Sequence, residues 1–223
     1  MSHPRAVAFF DVDETLVSVR TLESFLLYYR ALVPSMISQD ELRELAAKVV
    51  QLDRTEFNRL YFGIWAGQPA EQVREAGRRW YAETSAHEGF YRPNVLQRLR
   101  EHQDAGDHVV LVSGSFAAPL EPLAADLAVE HLYCTELEVL DGRFTGAISE
   151  AMIGDDKSRV VEGYLASVGD AASWGYGDHS SDLSLLERVS NPVVVGSDPV
   201  MLQVATERDW PVMPIERPLA PRS

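Results

Sequence analysis

Five apolar residues in a row, Ala6-Val7-Ala8-Phe9-Phe10, stop at two carboxylates spaced two apart, Asp11 and Asp13. A short continuous apolar run bounded by polar residues reads as a strand buried on both faces, as in a parallel sheet covered by helices. Residues i and i+2 of an extended segment project to the same side. Ligands of open parallel sheets bind beyond the carboxyl ends of the strands. Two acids at that end either face one site together or form no more than an acidic turn.

The chain has 223 residues, 46% of them hydrophobic, enough for one large domain or for a core with a smaller insert. Its net charge of −14 argues against a nucleic-acid surface, because phosphate backbones are held by Lys and Arg. The same charge gives it no attraction to anionic membranes. A small phosphorylated substrate stays compatible if a metal or a few cations reverse the field locally. No apolar run approaches the ~18 residues of a membrane-spanning helix. The start of the chain lacks the layout of a signal peptide. Cys134 is the only cysteine, so no internal disulfide is possible. We therefore expect a reduced, cytoplasmic protein with a half-buried thiol, as a monomer or homodimer.

From Thr21 to about Glu83 the pattern is helical, with segments at Thr21–Leu32, Gln39–Gln51, Thr55–Trp65 and Pro69–Thr84. Leu22, Phe25, Leu26 and Tyr29 recur at helical spacing, as do Leu42, Leu45 and Val49. Pro34 closes the first helix, Ser38 or Asp40 caps the second, Thr55 the third, and Pro69 suits the first turn of the fourth. No strand is indicated in this stretch. From Gly89 onward strands and helices alternate: helix Pro93–Asp104, strand His108–Val112, helix Ala117–Leu127, helix Asp156–Val168, strand Ser173–Tyr176, strand Pro192–Val195 and helix Pro199–Glu207. Leu132–Leu140 and Arg143–Ile148 flank Asp141-Gly142, a strong hairpin signal. The tail from Asp209, with Pro211, Pro214, Pro218 and Pro221, reads as surface chain without regular structure.

Repeated β-then-α units imply an α/β fold: a Rossmann-like, three-layer core around a parallel sheet, with an all-helical cap inserted after the first strand. The expected boundaries are 1–17 plus 88–223 for the core, 18–87 for the cap and 209–223 for the tail. If the strands ending near Phe10, Val112 and Tyr176 are neighbours, their polar loops open on one edge, under the cap.

Those loops hold Asp11, Asp13, Asp178 and Asp182. Hard oxygen donors of this kind suit Mg²⁺, and a cation removes the mutual repulsion of gathered carboxylates. The histidines are too scattered for a zinc site. Ser113-Gly114-Ser115, before a helix, reads as a phosphate grip or as a plain turn. Lys157 opens a helix, the end that cations disfavour. It is either a solvated lysine or one held there by an anion.

In this order the four pieces resemble the haloacid-dehalogenase-like hydrolases. The likeness is to their aspartate-nucleophile phosphatases, and there to the phosphoserine-phosphatase-like subfamily, IB, with a helical C1 cap. Asp11-Val12-Asp13-Glu14-Thr15 fits the first motif, Ser113-Gly114 the second, Lys157 the third and Gly177-Asp178 through Asp182 the fourth. The resemblance implies Asp11 as nucleophile, forming an aspartyl-phosphate, and Asp13 as general acid and then general base. It implies Mg²⁺ on Asp11, the Asp13 main-chain carbonyl and Asp178, with Asp182 as a further ligand or behind the others. Ser113, the Gly114 backbone and Lys157 would hold the phosphoryl oxygens, and Lys157 would also neutralise Asp11. Thr15 would brace the first loop and touch phosphate.

The expected activity is a Mg²⁺-dependent phosphatase of a small phosphorylated metabolite, with a cap that opens and closes over the site. A phosphotransferase shares every one of these residues, and a phospho-accepting binding module shares Asp11, the metal and Lys157. Where phosphoserine phosphatases carry an acid that receives the substrate's ammonium group, this chain has Arg20. An arginine there favours a carboxylate, a second phosphate or a polyol, unless it faces solvent or pairs with Glu23. Ser181 stands where those enzymes usually have Asn. Most of the cap's aromatic residues are needed for its own core.

Overall fold

The computed structural model describes residues 4–48, 51–52, 54–169 and 171–215. Strands β1 (Ala6–Phe10), β2 (His108–Phe116), β3 (His131–Leu140), β4 (Arg143–Glu150), β5 (Ala172–Gly177), β6 (Asn191–Val195) and β7 (Val212–Met213) form one sheet. Its order is β4-β3-β2-β1-β5-β6-β7. All pairings are parallel except β3 with β4 at one edge.

Side-chain alternation along β1 builds the two faces. Ala8 and Phe10 face one core with Leu111 and Tyr176, closed by Val95 and Leu99 of α5 (Pro93–Asp104) and Leu120 and Leu123 of α6 (Ala117–Asp126). Val7 and Phe9 face the other with Val110 and Val112. That side is closed by α7 (Asp155–Val168), α8 (Leu183–Leu186) and α9 (Pro199–Arg208) through Val161, Leu185, Leu186 and Met201. All five β1 residues are buried, as their apolar run requires. Phe10 lies level with Leu111 on one side and Tyr176 on the other, so β1 and β5 finish within a residue of each other while β2 runs on past them.

Between β1 and β2 the chain forms α1 (Thr21–Leu32), α2 (Gln39–Lys48), α3 (Arg54–Gly63) and α4 (Ala70–Thr84). Phe25 stacks on Trp65 at 5.4 Å, and Trp80 and Tyr29 pack around them. Phe116, at the end of β2, joins this cluster, so cap and core share one apolar interior. Ser38 and Glu41 cap α2 reciprocally: the Glu41 N–H donates to Ser38 Oγ and the Ser38 N–H to Glu41 Oε2. Val49 and the capping role expected of Thr55 lie outside the described residues and side chains.

Two contacts fix this cap on the core. A Cβ added at Gly77 of α4 would stand 1.9 Å from the Ala118 carbonyl oxygen of α6. Pro122, four residues on, has no N–H to offer that carbonyl, which leaves it open to such an approach. The α3–α4 turn also bonds to the tip of the β3–β4 hairpin: Gly67 N–H to Phe144 O at 2.8 Å, Ala70 N–H to Gly142 O at 2.9 Å and Phe144 N–H to Gln68 O at 3.0 Å. At that tip Asp141 and Gly142 have φ of 50° and 74°, the turn their sequence demands.

Two expectations need correction. The tail from Asp209 is not wholly irregular, because Val212–Met213 adds a short strand to β6 and Asn94 Nδ2 donates to the Pro214 carbonyl at 2.6 Å. Pro218 and Pro221 lie outside the described residues. Strand β2 does not stop at Val112 but runs on through Ser113-Gly114-Ser115 to Phe116, with an irregularity in its pairing to β3. Cys134 is half-buried, and burial, helped by the nearby Glu136 and Glu121 charges, pushes its thiol up to about 12. Among the described residues no helix is long and apolar enough to cross a membrane.

Candidate active site

The loops after β1 and β5 and the Ser113–Ser115 stretch of the longer β2 lie where the strand order turns outward in both directions from β1, the place an open α/β sheet offers to a ligand. The Asp11 N–H donates to the Tyr176 carbonyl at 2.9 Å, which ties the start of the first loop to β5. Beneath them Phe10 stacks on Tyr176 at 4.3 Å. The Tyr176 hydroxyl meets His102 Nε2 at 2.9 Å, and His102 Nδ1 meets Asp107 at 2.8 Å. The floor of the site is thus held by stacking and by a buried polar chain.

Lys157, in the first turn of α7, is 3% exposed. Its Nζ donates to Asp11 Oδ1 at 2.7 Å and to Asp182 Oδ1 at 2.6 Å. Of its two sequence readings, the one with an anionic partner is what the fold displays. Burial works against its charge, yet the two carboxylates outweigh burial and raise its pKa. Asp182, 1% exposed, also accepts the His179 N–H on its other oxygen at 3.1 Å. This fold-back needs Gly177, where a Cβ would stand 2.6 Å from the Asp182 Cβ.

One oxygen from each of Asp11, Asp178 and Asp182 lies within 4.8 Å of the others. Burial, reinforced by the Asp182 charge, lifts Asp11 to about 6 in spite of Lys157. Burial and the charges of Asp11 and Asp182 lift Asp178 to about 8. Burial lifts Asp13 to about 7 against the opposing Thr21 bonds. Three gathered carboxylates answered by one lysine form an all-oxygen set short of positive charge, which fits a hard divalent cation such as Mg²⁺. Of the three carboxylates Asp178 is the one not bonded to Lys157; its neighbour is a hydroxyl, Thr15 Oγ1 at 2.7 Å.

Thr15, expected to brace the first loop, bonds across to Asp178 on the loop after β5. Ser113 is buried, and its Oγ accepts the Ser115 N–H at 3.1 Å; the Gly114 carbonyl accepts Thr135 Oγ1 at 2.9 Å. Arg20 pairs neither with Glu23 nor with solvent alone: its Nε donates to Glu14 Oε2 at 2.7 Å, in an exposed pair. Glu14 reaches back through a φ of 60°. Asp13 turns both carboxylate oxygens to Thr21, whose N–H is at 3.0 Å and hydroxyl at 2.7 Å. Thr21 was not legible as a site residue, and Ser115 was read only as part of the Ser113-Gly114-Ser115 stretch, not as a partner of Thr21. The one local sign was Arg20, a poor capping residue placed before a helix that needs a cap.

A family model described as haloacid dehalogenase-like hydrolase matches residues 8–187. The "Inhibition of morphological differentiation protein" of Streptomyces azureus is 29% identical to the chain, over 98% of the chain and 81% of that protein. The histidinol-phosphatase of Neisseria meningitidis serogroup C is 27% identical, over 93% of the chain and 97% of the enzyme. The crystal structure of a protein of unknown function from Bordetella pertussis superposes with a TM-score of 0.82 at 24% identity. It covers 96% of this chain and 100% of that one, and so shares the fold.

Proposed function

This chain belongs to the haloacid dehalogenase-like hydrolases, and from that premise we propose that it is a Mg²⁺-dependent phosphoric monoester hydrolase of a small phosphorylated metabolite. The observation that carries the reading is the Asp11–Lys157–Asp182 arrangement beside Asp178, with a second carboxylate, Asp13, held two residues after Asp11. A histidinol-phosphatase among the full-length relatives supports it.

Asp11 attacks the phosphorus, a bond forms between its oxygen and phosphorus, and the ester P–O bond breaks. Asp13 gives its proton to the departing alkoxide. In the second half Asp13, now a carboxylate, takes a proton from the water that attacks phosphorus, and Asp11 leaves as a carboxylate. Lys157 offsets the charge of Asp11 and, with Ser113 and the Gly114 backbone, receives phosphoryl oxygens. Asp11, Asp178 and the Asp13 main-chain carbonyl would hold the Mg²⁺, with Thr15 steadying Asp178. Asp182, engaged through both oxygens, orients Lys157. When bound, the cation lowers the repulsion between carboxylate and phosphate and stabilises charge on the transferring group.

The test is a panel of phosphomonoesters assayed with Mg²⁺, with EDTA and with Asp11→Asn. Release that needs the metal and vanishes in Asp11→Asn supports the reading; equal release by wild type and Asp11→Asn removes it. Transfer of the phosphoryl group to added glycerol in place of release would identify a phosphotransferase.

A further inference from the structure

We propose that Thr21, backed by Ser115, is the positioning residue for the proton transfers of Asp13. The inference rests on the reading of Asp13 as acid and base given above. It begins with the first turn of α1, whose leading N–H groups have no helical partner. Arg20, the residue at the cap position, makes no side-chain capping bond. The Thr21 N–H goes instead to Asp13 Oδ2 at 3.0 Å, and the Thr21 hydroxyl goes to Oδ1 at 2.7 Å. One residue thus places one donor on each oxygen, which fixes the rotation of the carboxylate plane. Each oxygen keeps a second lone pair, so a proton can still be gained and lost.

Thr21 is in turn held from the core. Its hydroxyl oxygen lies 2.8 Å from Ser115 Oγ, and both residues are buried, at 0% and 2% exposure. A carboxylate only accepts, so the single Thr21 proton is given to Asp13 and Ser115 donates the proton of the second bond. Threonine has more than one χ1 rotamer in a helix; the Ser115 bond selects the one that faces Asp13. Ser115 lies on β2, two residues beyond Ser113, whose Oγ accepts its N–H. The orientation of Asp13 is therefore set jointly by the first residue of α1 and by the strand that carries Ser113 and Gly114.

A bond that only capped α1 would affect every substrate alike. A bond that aims Asp13 matters most where the leaving group needs a proton. p-Nitrophenolate leaves without one and an alkoxide does not. The experiment measures kcat/KM for p-nitrophenyl phosphate and glycerol phosphate with wild type, Asp13→Asn, Thr21→Val, Thr21→Ser and Ser115→Ala. Thr21→Val should lose about tenfold more on the alkyl ester than on the aryl ester, part of the ~10²–10⁴ that general acid catalysis supplies. Thr21→Ser should restore the ratio, and Ser115→Ala should shift it the same way by less. Equal losses on both esters in Thr21→Val, beside unequal losses in Asp13→Asn, overturn the inference. Equal losses in Asp13→Asn overturn the acid assignment itself. If Thr21→Val does not fold, Ser115→Ala decides, and an unchanged ratio overturns the inference.

Discussion

Without a bound cation, the protein should be more stable at pH 5 than at pH 8, against the usual behaviour of a chain whose acids are paired. Asp11, Asp13 and Asp178 all have folded pKa values raised above the ordinary 3.8, to about 6, 7 and 8. A raised carboxyl contributes stability that is full below the unfolded pKa and is lost as pH climbs through the folded one. Taking Asp13 alone, the two units between pH 5 and its folded value near 7 are worth at most about 2.7 kcal/mol at ~1.36 kcal/mol per unit. Asp13 is only half-buried, so water screens part of this. For a chain of this length each kcal/mol moves Tm by roughly 2–4 °C, giving a fall of up to about 5–11 °C. Asp11 and Asp178 act in the same direction. The assay is thermal unfolding in EDTA across pH 5–8, repeated with Mg²⁺. Added Mg²⁺ should raise Tm more at pH 8 than at pH 5, where protons compete for the same oxygens. A Tm in EDTA that stays flat or rises toward pH 8 would refute the charge-crowded site.

Gly77→Ala puts a methyl 1.9 Å from a backbone oxygen, so α4 must move off α6; the cost is about 3 kcal/mol, the upper end for overpacking, read as a Tm lower by roughly 6–12 °C. An unchanged Tm would mean that the cap is not docked there. Lys157→Met removes the cation shared by Asp11 and Asp182 and should cut kcat by ~10²–10³; a loss under tenfold would contradict its role. If Arg20 leaves Glu14 to receive an anionic substrate group, Arg20→Ala raises KM for the best substrate. Tm should hardly change, because an exposed pair is worth ~0.2–1 kcal/mol. An unchanged KM across the phosphomonoester panel removes that idea.

What the sequence made legible follows from how local each signal is. An apolar run ending in acids marks β1 and its loop by composition alone, and Asp141-Gly142 marks its hairpin because few residues tolerate both φ values. Positions 178 and 182 stand out because they follow a strand and position 157 because it opens a helix, whereas position 113, expected just past a strand, lies inside β2. Val212–Met213 was not readable, since two residues carry no periodicity and pair only because β6 offers an edge. Nor was the pairing of Thr21 with Ser115: 94 residues apart, they meet only when the cap folds onto β2. The Arg20 partner was misjudged for a similar reason. The left-handed turn at Glu14, not helical spacing to Glu23, decides which acid reaches it.

The central claim is that Asp11 takes the phosphoryl group, and trapping that group tests it most directly. Enzyme mixed with a phosphomonoester and Mg²⁺, quenched in acid and reduced with borohydride, should yield homoserine in place of Asp11 in the peptide that spans β1. Homoserine at that position, absent in Asp11→Asn, is the predicted result. A phosphoryl group recovered on Ser113, or homoserine at another aspartate, would contradict the account.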